Sequence, residues 1–225
     1  MASGVRDTRA ALVRWRADRW RVLATWAFAS LGVAVALLTA TWVVATVDTP
    51  DAAYDLAGVS RPAEAADVRL ILIGNALVLT LHAMACVAAY LARRSIPLEA
   101  AGYGRVWRSL HQRVGSAAMA FVACATLFSF ATQARILGAT AAAAATGLGI
   151  GPATLLLGLA PHALPELTAV FLPLAAWAVA SRRRDGWNDL LAATLVTTAV
   201  AAPVLVAAAL IEVYVSPHLI LALAG

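Results

Sequence analysis

Long apolar runs separated by short polar segments dominate the hydropathy pattern of the chain. Each run has about the 20 residues that a helix needs to cross a bilayer. The pattern predicts an all-α fold, a polytopic transmembrane helical bundle of about five spans in a single domain, residues 22–225, after a basic N-terminus, residues 1–21. The predicted spans cover about residues 22–47, 70–92, 114–144, 153–180 and 190–215.

The region from Val114 to Ala180 allows two long spans or three short ones broken at Arg135 and His162. Three spans would place the arginines at 182–184 outside, whereas short cytoplasmic loops normally hold the arginine excess. Two spans joined by the glycine-rich turn at 146–152 are therefore preferred. The five-span arrangement puts the N-terminus and 14 of the 17 basic residues in the cytoplasm and leaves the acidic segment 48–67 outside.

The first apolar run also resembles the core of a signal peptide, because arginines precede it. A signal-peptide core has only about 7 to 15 apolar residues. The run at 22–47 is longer and has no convincing small-residue cleavage site, so we expect an uncleaved anchor.

Composition supports a bilayer as the solvent, with 62% hydrophobic residues, 13% charged residues and a mean hydropathy of +0.82. A soluble domain exposing so much apolar surface would aggregate. All 17 basic residues are arginines, a usage typical of a G+C-rich bacterial genome, and most of them cluster at span ends. We expect a multi-pass protein of the bacterial cytoplasmic membrane that binds lipid and no nucleic acid. The two cysteines, Cys86 and Cys124, lie within spans and are expected to be packing residues.

The fourth span contains an ionisable pair, His162 and Glu166, between two prolines, Pro161 and Pro165. Their four-residue spacing places the pair on one helix face, and the prolines remove backbone hydrogen bonds and predict a kink. Ionisable groups are expensive in hydrocarbon and usually face a partner or a cavity. One interpretation is a functional polar centre that gates a cavity, carries a proton or receives a partner's segment. The other is a hydrogen-bonded set that only holds the helices together.

Other polar residues in the spans are candidates for the same centre, each with an alternative. Arg135 is either the counter-ion of Glu166 or a side chain that extends to the interface. Glu212 either joins the centre or is solvated near the outer end of the fifth span. Asn75 and His82 share one face of the second span and are expected to bond neighbouring helices. The predicted intramembrane polar centre comprises His162, Glu166, Arg135, Glu212 and Asn75.

The segment between the second and third spans is basic, contains a tryptophan and is long enough for a short interfacial helix. It is a candidate surface for docking a partner. The residues that would form this surface are Arg93, Arg94, Arg105, Trp107 and Arg108.

Catalytic motifs are missing from the sequence. The chain has no His-Glu-x-x-His zinc helix, no Gly-x-Ser-x-Gly elbow and no phosphate-binding loop. We therefore expect no enzymatic activity, no cofactor and no metal. Alanine-rich stretches at 139–145 and 199–209 permit close helix approach within the chain or in a homo-oligomer.

Two segments in the last two spans carry a family resemblance: PHALPEL at 161–167, with a His-x-x-x-Glu pattern, and AALIEVYVSP at 208–217, which ends an apolar helix. Asn75, early in its span, also fits. These residues resemble the stage II sporulation protein M family, whose sporulation member works with cell-wall-degrading partners. The resemblance implies a non-catalytic scaffold in a cell-envelope assembly, with a cell-wall hydrolase as partner. Relatives near peptide-export machinery imply the alternative, a membrane subunit of an export or transport system energised by an ABC-type ATPase.

Overall fold

The computed structural model describes residues 2–15, 19–48, 57–59, 61–100, 105–181 and 189–225, apart from a number of side chains that include those of 90–123. The described residues are almost entirely helical. The helices in chain order are α1 (Ala2–Trp15), α2 (Arg19–Val47), α3 (Ala65–Ala100), α4 (Arg105–Leu148), α5 (Pro152–Ser181), α6 (Leu190–Tyr214) and α7 (Ser216–Ala224).

The predicted all-α transmembrane architecture is confirmed. Among the described residues, four helical segments are long and apolar enough to cross a membrane. These segments are Trp20–Val47, Ala65–Ala89, Pro152–Ala180 and Leu190–Tyr214. The remaining predicted span, residues 114–144, lies within α4, which is a continuous helix of 44 residues. The chain is thus a multi-pass membrane protein.

The segment before the third span differs from the prediction of a separate interfacial helix. Helix α4 begins at Arg105 and continues without a break, so Trp107 lies in the first turn of a long helix. The side chains of the predicted docking residues, Arg93, Arg94, Arg105, Trp107 and Arg108, lie outside the described residues. The arginines at 182–184 are also outside them.

Apolar side chains cover much of the outer surface of α2 and α3. Leu77, Leu81 and Met84 follow one face of α3 and are each more than 60% exposed. On α2, Phe28 is 74% exposed. Helices that are apolar on every side need hydrocarbon around them, and these faces have the character of a lipid-contacting surface.

Helix α5 is the centre of the bundle and packs against α2, α3, α4, α6 and α7. Helices α5 and α6 are antiparallel, since Ala180 packs near Leu190 and Ala176 packs near Ala193. Small residues allow α5 and α6 to pack closely. Two of them, Ala176 and Ala193, are at most 1% exposed. The alanine-rich stretches predicted to permit close approach also pack within the chain, since Ala142 and Ala145 cluster with Ala45 and Leu155, and Ala201 clusters with Ala169.

Neighbouring helices donate hydrogen bonds to the backbone carbonyls of α5 near Pro173. Ser30 Oγ donates to the Thr168 carbonyl at 2.6 Å, and Cys86 Sγ lies 3.6 Å from the Pro173 carbonyl oxygen. Pro173 has no N–H, so the Ala169 carbonyl loses its helical bond, and the carbonyls of Thr168 and Pro173 lie close to it along the helix. Side chains of α2 and α3 therefore fasten these helices to α5.

The turn between α4 and α5 is the one predicted from its glycines. Gly149 has a φ of +66°, a left-handed conformation that glycine adopts without strain. Its N–H donates to the Thr146 carbonyl at 3.1 Å, and the Ile150 N–H donates to the Ala145 carbonyl at 3.0 Å. This pair of bonds is a Schellman motif, which ends α4 and returns the chain along the bundle.

Helix α1 packs beside the start of α6. Arg14 forms an ion pair with Asp189, which precedes α6. Trp15 meets Trp26 edge to face, with 5.2 Å between the ring centroids. The basic N-terminus is therefore helical and attached to the bundle.

Candidate intramembrane polar centre

Two pairs of polar residues face each other where the first half of α5 meets the end of α6. His162 and Glu166 are one helical turn apart on α5, and Glu212 and Ser216 have the same four-residue spacing across the junction of α6 and α7. Because α5 and α6 are antiparallel, the early part of one lies beside the late part of the other. The fold thus brings together residues that are about 50 positions apart in sequence.

His162 is buried, with 5% of its surface exposed. Its Nδ1 lies 2.7 Å from Ser216 Oγ, and Ser216 is only 1% exposed. This hydrogen bond connects α5 to the first residue of α7. It orients the imidazole ring, since one of its two nitrogens is engaged.

Glu166 and Glu212 complete the cluster. One potential ligand atom from each of His162, Glu166 and Glu212 lies within 4.8 Å of the corresponding atoms of the other two. Both carboxylates are partly buried. The sequence prediction that Glu166 and His162 meet either Arg135 or Glu212 is therefore resolved in favour of Glu212.

Asn75 approaches the same group from α3. Its side chain lies beside the Glu166 carboxylate. Its Nδ2 is nevertheless buried without a well-formed hydrogen bond. The structure thus places the predicted asparagine beside Glu166.

Arg135 does not join the cluster. Its side chain is exposed, whereas the adjacent Ala134 is buried against Leu37 and Phe171. Arg135 therefore lies away from the inward face of α4, and the expectation that it neutralises Glu166 differs from the structure. Extension towards an interface remains the interpretation for this residue.

The two prolines beside the pair do not interrupt the helix. Helix α5 is continuous from Pro152 to Ser181 through Pro161, Pro165 and Pro173. Pro161 is exposed at the surface of the bundle. The prolines therefore do not end the helix, and the predicted kink stays a prediction.

A cavity of about 200 Å³ reaches this region from the end of the bundle that carries the polar loop. Glu212 and Ser216 line its inner part, and Arg61 and Asp67, which form an ion pair with each other, line it beside the loop. The cavity therefore reaches the edge of the polar centre that Glu212 and Ser216 form.

A serine, a histidine and a carboxylate in one cluster invite comparison with a hydrolase triad. In a triad, the carboxylate and the serine occupy opposite nitrogens of the imidazole, and the serine faces the substrate. Here no hydrogen bond among the described residues joins His162 to a carboxylate, and Ser216 lies on Nδ1, the nitrogen that the carboxylate of a triad holds. The geometry makes Ser216 an orienting partner of His162.

The role of Ser216 was missed by sequence reasoning, although the residue stands in the motif at 208–217. Two signals were available. Ser216 is four residues after Glu212, and Pro217 is typical of the first turn of a new helix. Together they indicate that the apolar tail begins a helix and does not simply continue the fifth span.

Comparison with known proteins connects this region to a family. Residues 115–217 match the family model described as stage II sporulation protein M. Over this segment, 103 of the 225 residues, the chain is similar to the stage II sporulation protein M family. No curated protein and no solved structure matches the chain.

The polar centre lies almost entirely within the stage II sporulation protein M segment. His162, Glu166, Glu212 and Ser216 all fall between residues 115 and 217. Asn75 comes from the part of the chain before the match. The resemblance that rested on PHALPEL and AALIEVYVSP is thus confirmed, and the two motifs meet in space at the hydrogen bond between His162 and Ser216.

Proposed function

We propose that this chain is a non-catalytic membrane component of a bacterial cell-envelope assembly and acts as a scaffold for partner proteins at the cytoplasmic membrane. The observation that carries the proposal is a surface beside the polar centre, where loop residues 57–59 and Arg61 lie against the junction of α6 and α7. We call this surface the loop platform.

Gly58 explains why the loop platform has a defined shape. Its φ is +79°, and an added Cβ would lie 2.7 Å from Pro217 Cγ and 3.3 Å from the Val213 carbonyl oxygen. Its N–H donates to the Arg61 carbonyl at 2.7 Å. Only glycine fits this conformation and this close approach. The loop is therefore held directly on the ends of α6 and α7.

A second contact fixes the other end of the loop platform. Arg61 pairs with Asp67 in the first turn of α3, and Asp67 Oδ2 also accepts a bond of 2.9 Å from the Glu64 N–H. An ordered binding surface loses little conformational entropy when a partner binds. This property suits a scaffold, whose task is to hold another protein in a fixed position.

The partner we propose is an extracytoplasmic protein of the cell-wall hydrolase class. Two arguments support this class: the match of the 115–217 segment to the stage II sporulation protein M family, and the predicted topology, which puts the loop outside. Polar side chains within the spans, such as Ser30 and His162, bond to helices of the same chain, as expected for a structural component.

The cavity beside Glu212 is the observation that favours the alternative, a membrane subunit of an ATPase-energised export system. A mixed polar and apolar cavity, lined by Arg61, Asp67, Glu212 and Ser216 among apolar residues, suits part of a substrate path. The two functions differ in the partner that must be present, since export requires an ATPase on the cytoplasmic side.

Recovery of partners from native membranes separates the two functions. We expect mild cross-linking and affinity purification of the tagged chain to recover a cell-wall hydrolase. Gly58→Val should reduce this recovery several-fold, because it displaces the loop from Pro217. Gly74→Ala is a matched control, since a Cβ at Gly74 meets nothing within 4 Å. Recovery of an ATPase in place of a hydrolase, unchanged by Gly58→Val, would support export and contradict the scaffold.

Topology is tested with single cysteines in a background that lacks Cys86 and Cys124. Glu64→Cys and Ala10→Cys both use exposed positions, the first between the loop platform and α3 and the second in α1. A membrane-impermeant maleimide should label the first in intact cells and the second only after permeabilisation. The opposite pattern would place the loop platform in the cytoplasm and exclude a cell-wall partner.

A further inference from the structure

The three ionisable groups of the polar centre surround a common point without bonding to one another. Their potential ligand atoms lie within 4.8 Å of each other, yet no hydrogen bond among the described residues joins any two of the three. His162 bonds Ser216 through one nitrogen, and Asn75 lies beside Glu166. An ion shared by the three groups would engage their remaining donor atoms together.

We propose that His162, Glu166 and Glu212 bind a divalent transition-metal ion of the zinc class between α5 and α6. One imidazole nitrogen and two carboxylate oxygens are donors that Zn²⁺ accepts, and a fourth position would remain for water. Two opposed helices provide the donors, so the site depends on tertiary structure. This inference goes beyond the scaffold role and does not depend on the identity of any partner.

Charge balance supports an ion at this place. Two carboxylates close together in a bilayer are expensive unless positive charge compensates them. The arginine predicted as counter-ion, Arg135, is exposed on α4, and Arg61 at the cavity is paired with Asp67. A divalent cation would neutralise Glu166 and Glu212 at once.

The hydrogen bond between His162 and Ser216 is the independent observation. A histidine that binds a metal through one nitrogen usually donates its other N–H to an oxygen, which fixes the tautomer and the ring. His162 Nδ1 is 2.7 Å from the buried Ser216 Oγ. In this arrangement Nδ1–H donates to Ser216 and the lone pair of Nε2 is free for the ion. Ser216 is thus a positioning residue.

The cavity provides an entry path. It has a volume of about 200 Å³ and is lined by Glu212 and Ser216. An ion from the aqueous side could therefore reach the site without crossing hydrocarbon. His82, the other histidine within the described spans, has a backbone carbonyl as its partner and is not part of this cluster.

Zinc binding by the full chain in detergent or nanodiscs tests the proposal. The protein is first stripped with a chelator, and Zn²⁺ alone is then added in competition with a chromogenic chelator. We expect one Zn²⁺ per chain. His162→Ala and Glu212→Gln should each weaken binding by about 100-fold or more, and Ser216→Ala by about 10- to 100-fold, the usual range for an orienting partner. His218→Ala, at an exposed histidine, should leave binding unchanged.

Two results would overturn the proposal: no Zn²⁺ retained by the wild-type chain, or binding that His162→Ala and Glu212→Gln leave intact. Because these variants could fail to fold, X-ray absorption of the Zn²⁺-loaded wild-type chain provides a second test. It should show one imidazole with oxygen ligands, including Zn–N of about 2.0–2.1 Å. A sulfur ligand, or two or more imidazoles, would contradict the assigned site.

Discussion

Two histidines within the spans, His82 and His162, have different surroundings. His82 Nδ1 is 2.8 Å from the Val170 carbonyl oxygen, and its ring stacks on Phe171 with 5.5 Å between centroids. His162 instead bonds the Ser216 side chain and lies beside two carboxylates. The first histidine meets backbone and an aromatic ring, whereas the second meets groups that can change charge or bind an ion.

This difference separates polar residues that only hold helices together from polar residues that are candidates for a function. The His82 neighbourhood fastens α3 to the carbonyls of α5 near Pro173, a role that any suitable donor could perform. The His162 neighbourhood contains more charge than helix packing requires, because interhelical hydrogen bonds need no carboxylates. We therefore expect substitutions at the two places to differ in size and in coupling.

The largest effect is expected at Glu166. Glu166→Leu removes charge and hydrogen bonding and leaves Asn75 without its neighbour, so we expect a loss of about 3 kcal/mol in the free energy of unfolding. Glu166→Gln keeps the shape and should lose much less. Thermal unfolding in detergent with a chelator present measures both. Equal stability of the Leu and Gln variants would show that the carboxyl group contributes nothing to the fold.

The charge of Glu166 can affect partner recovery even where the free energy of unfolding does not change. If the carboxylate is part of the mechanism, Glu166→Gln should fold and assemble yet fail in the partner-recovery assay. If the His162 neighbourhood is only structural, Glu166→Gln should retain both folding and partner recovery. This pair of outcomes separates the two interpretations of the polar centre.

A smaller effect is expected where α7 supports the His162 neighbourhood. An added Cβ at Gly158 would lie 2.7 Å from Ile220 Cγ1 and 3.3 Å from Ile220 Cα. Gly158→Val should therefore displace α7 and Ser216, with a loss of about 2 kcal/mol typical of overpacking. The His82 neighbourhood should be unaffected. Gly74→Ala, at a position with open space, should be neutral or slightly stabilising in the same thermal assay.

The smallest effect is expected at the structural histidine. His82→Ala removes one interhelical bond and a ring contact, and such bonds contribute about 0.6 to 2 kcal/mol in membranes. Its effect should add to that of Glu166→Gln, because the two residues share no described partner. If His82→Ala lost as much free energy of unfolding as Glu166→Leu, the distinction between the His82 and His162 neighbourhoods would be wrong.

Much of this fold was predictable, because span length and arginine position are simple consequences of the bilayer. The shared face of His162 and Glu166 follows from helix periodicity. The orientation of Arg135 could not be predicted in this way. Helix α4 has a weakly amphipathic pattern, and its inward face is set by tertiary contacts. Glu212 could be placed only once the antiparallel packing of α5 and α6 was known.

Helix α7 shows a second limit of prediction from the sequence. The apolar tail after Pro217 resembles an extension of the fifth span, but α7 packs beside α5 with Ile220 close to Gly158. Apolar composition does not distinguish a helix that continues from one that turns back. The partnership of Ser216 with His162 depends on that turn and was therefore not derivable from hydropathy.

A double-mutant cycle between His162 and Glu212 tests the central claim most directly, namely that residues of α5 and α6 form one polar unit. We predict that His162→Ala and Glu212→Gln are non-additive in the free energy of unfolding by about 1 kcal/mol or more, as for residues in one network. The control pair His82→Ala and Glu212→Gln should add within about 0.5 kcal/mol. Strict additivity of the first pair would show that His162 and Glu212 act independently and would contradict the account.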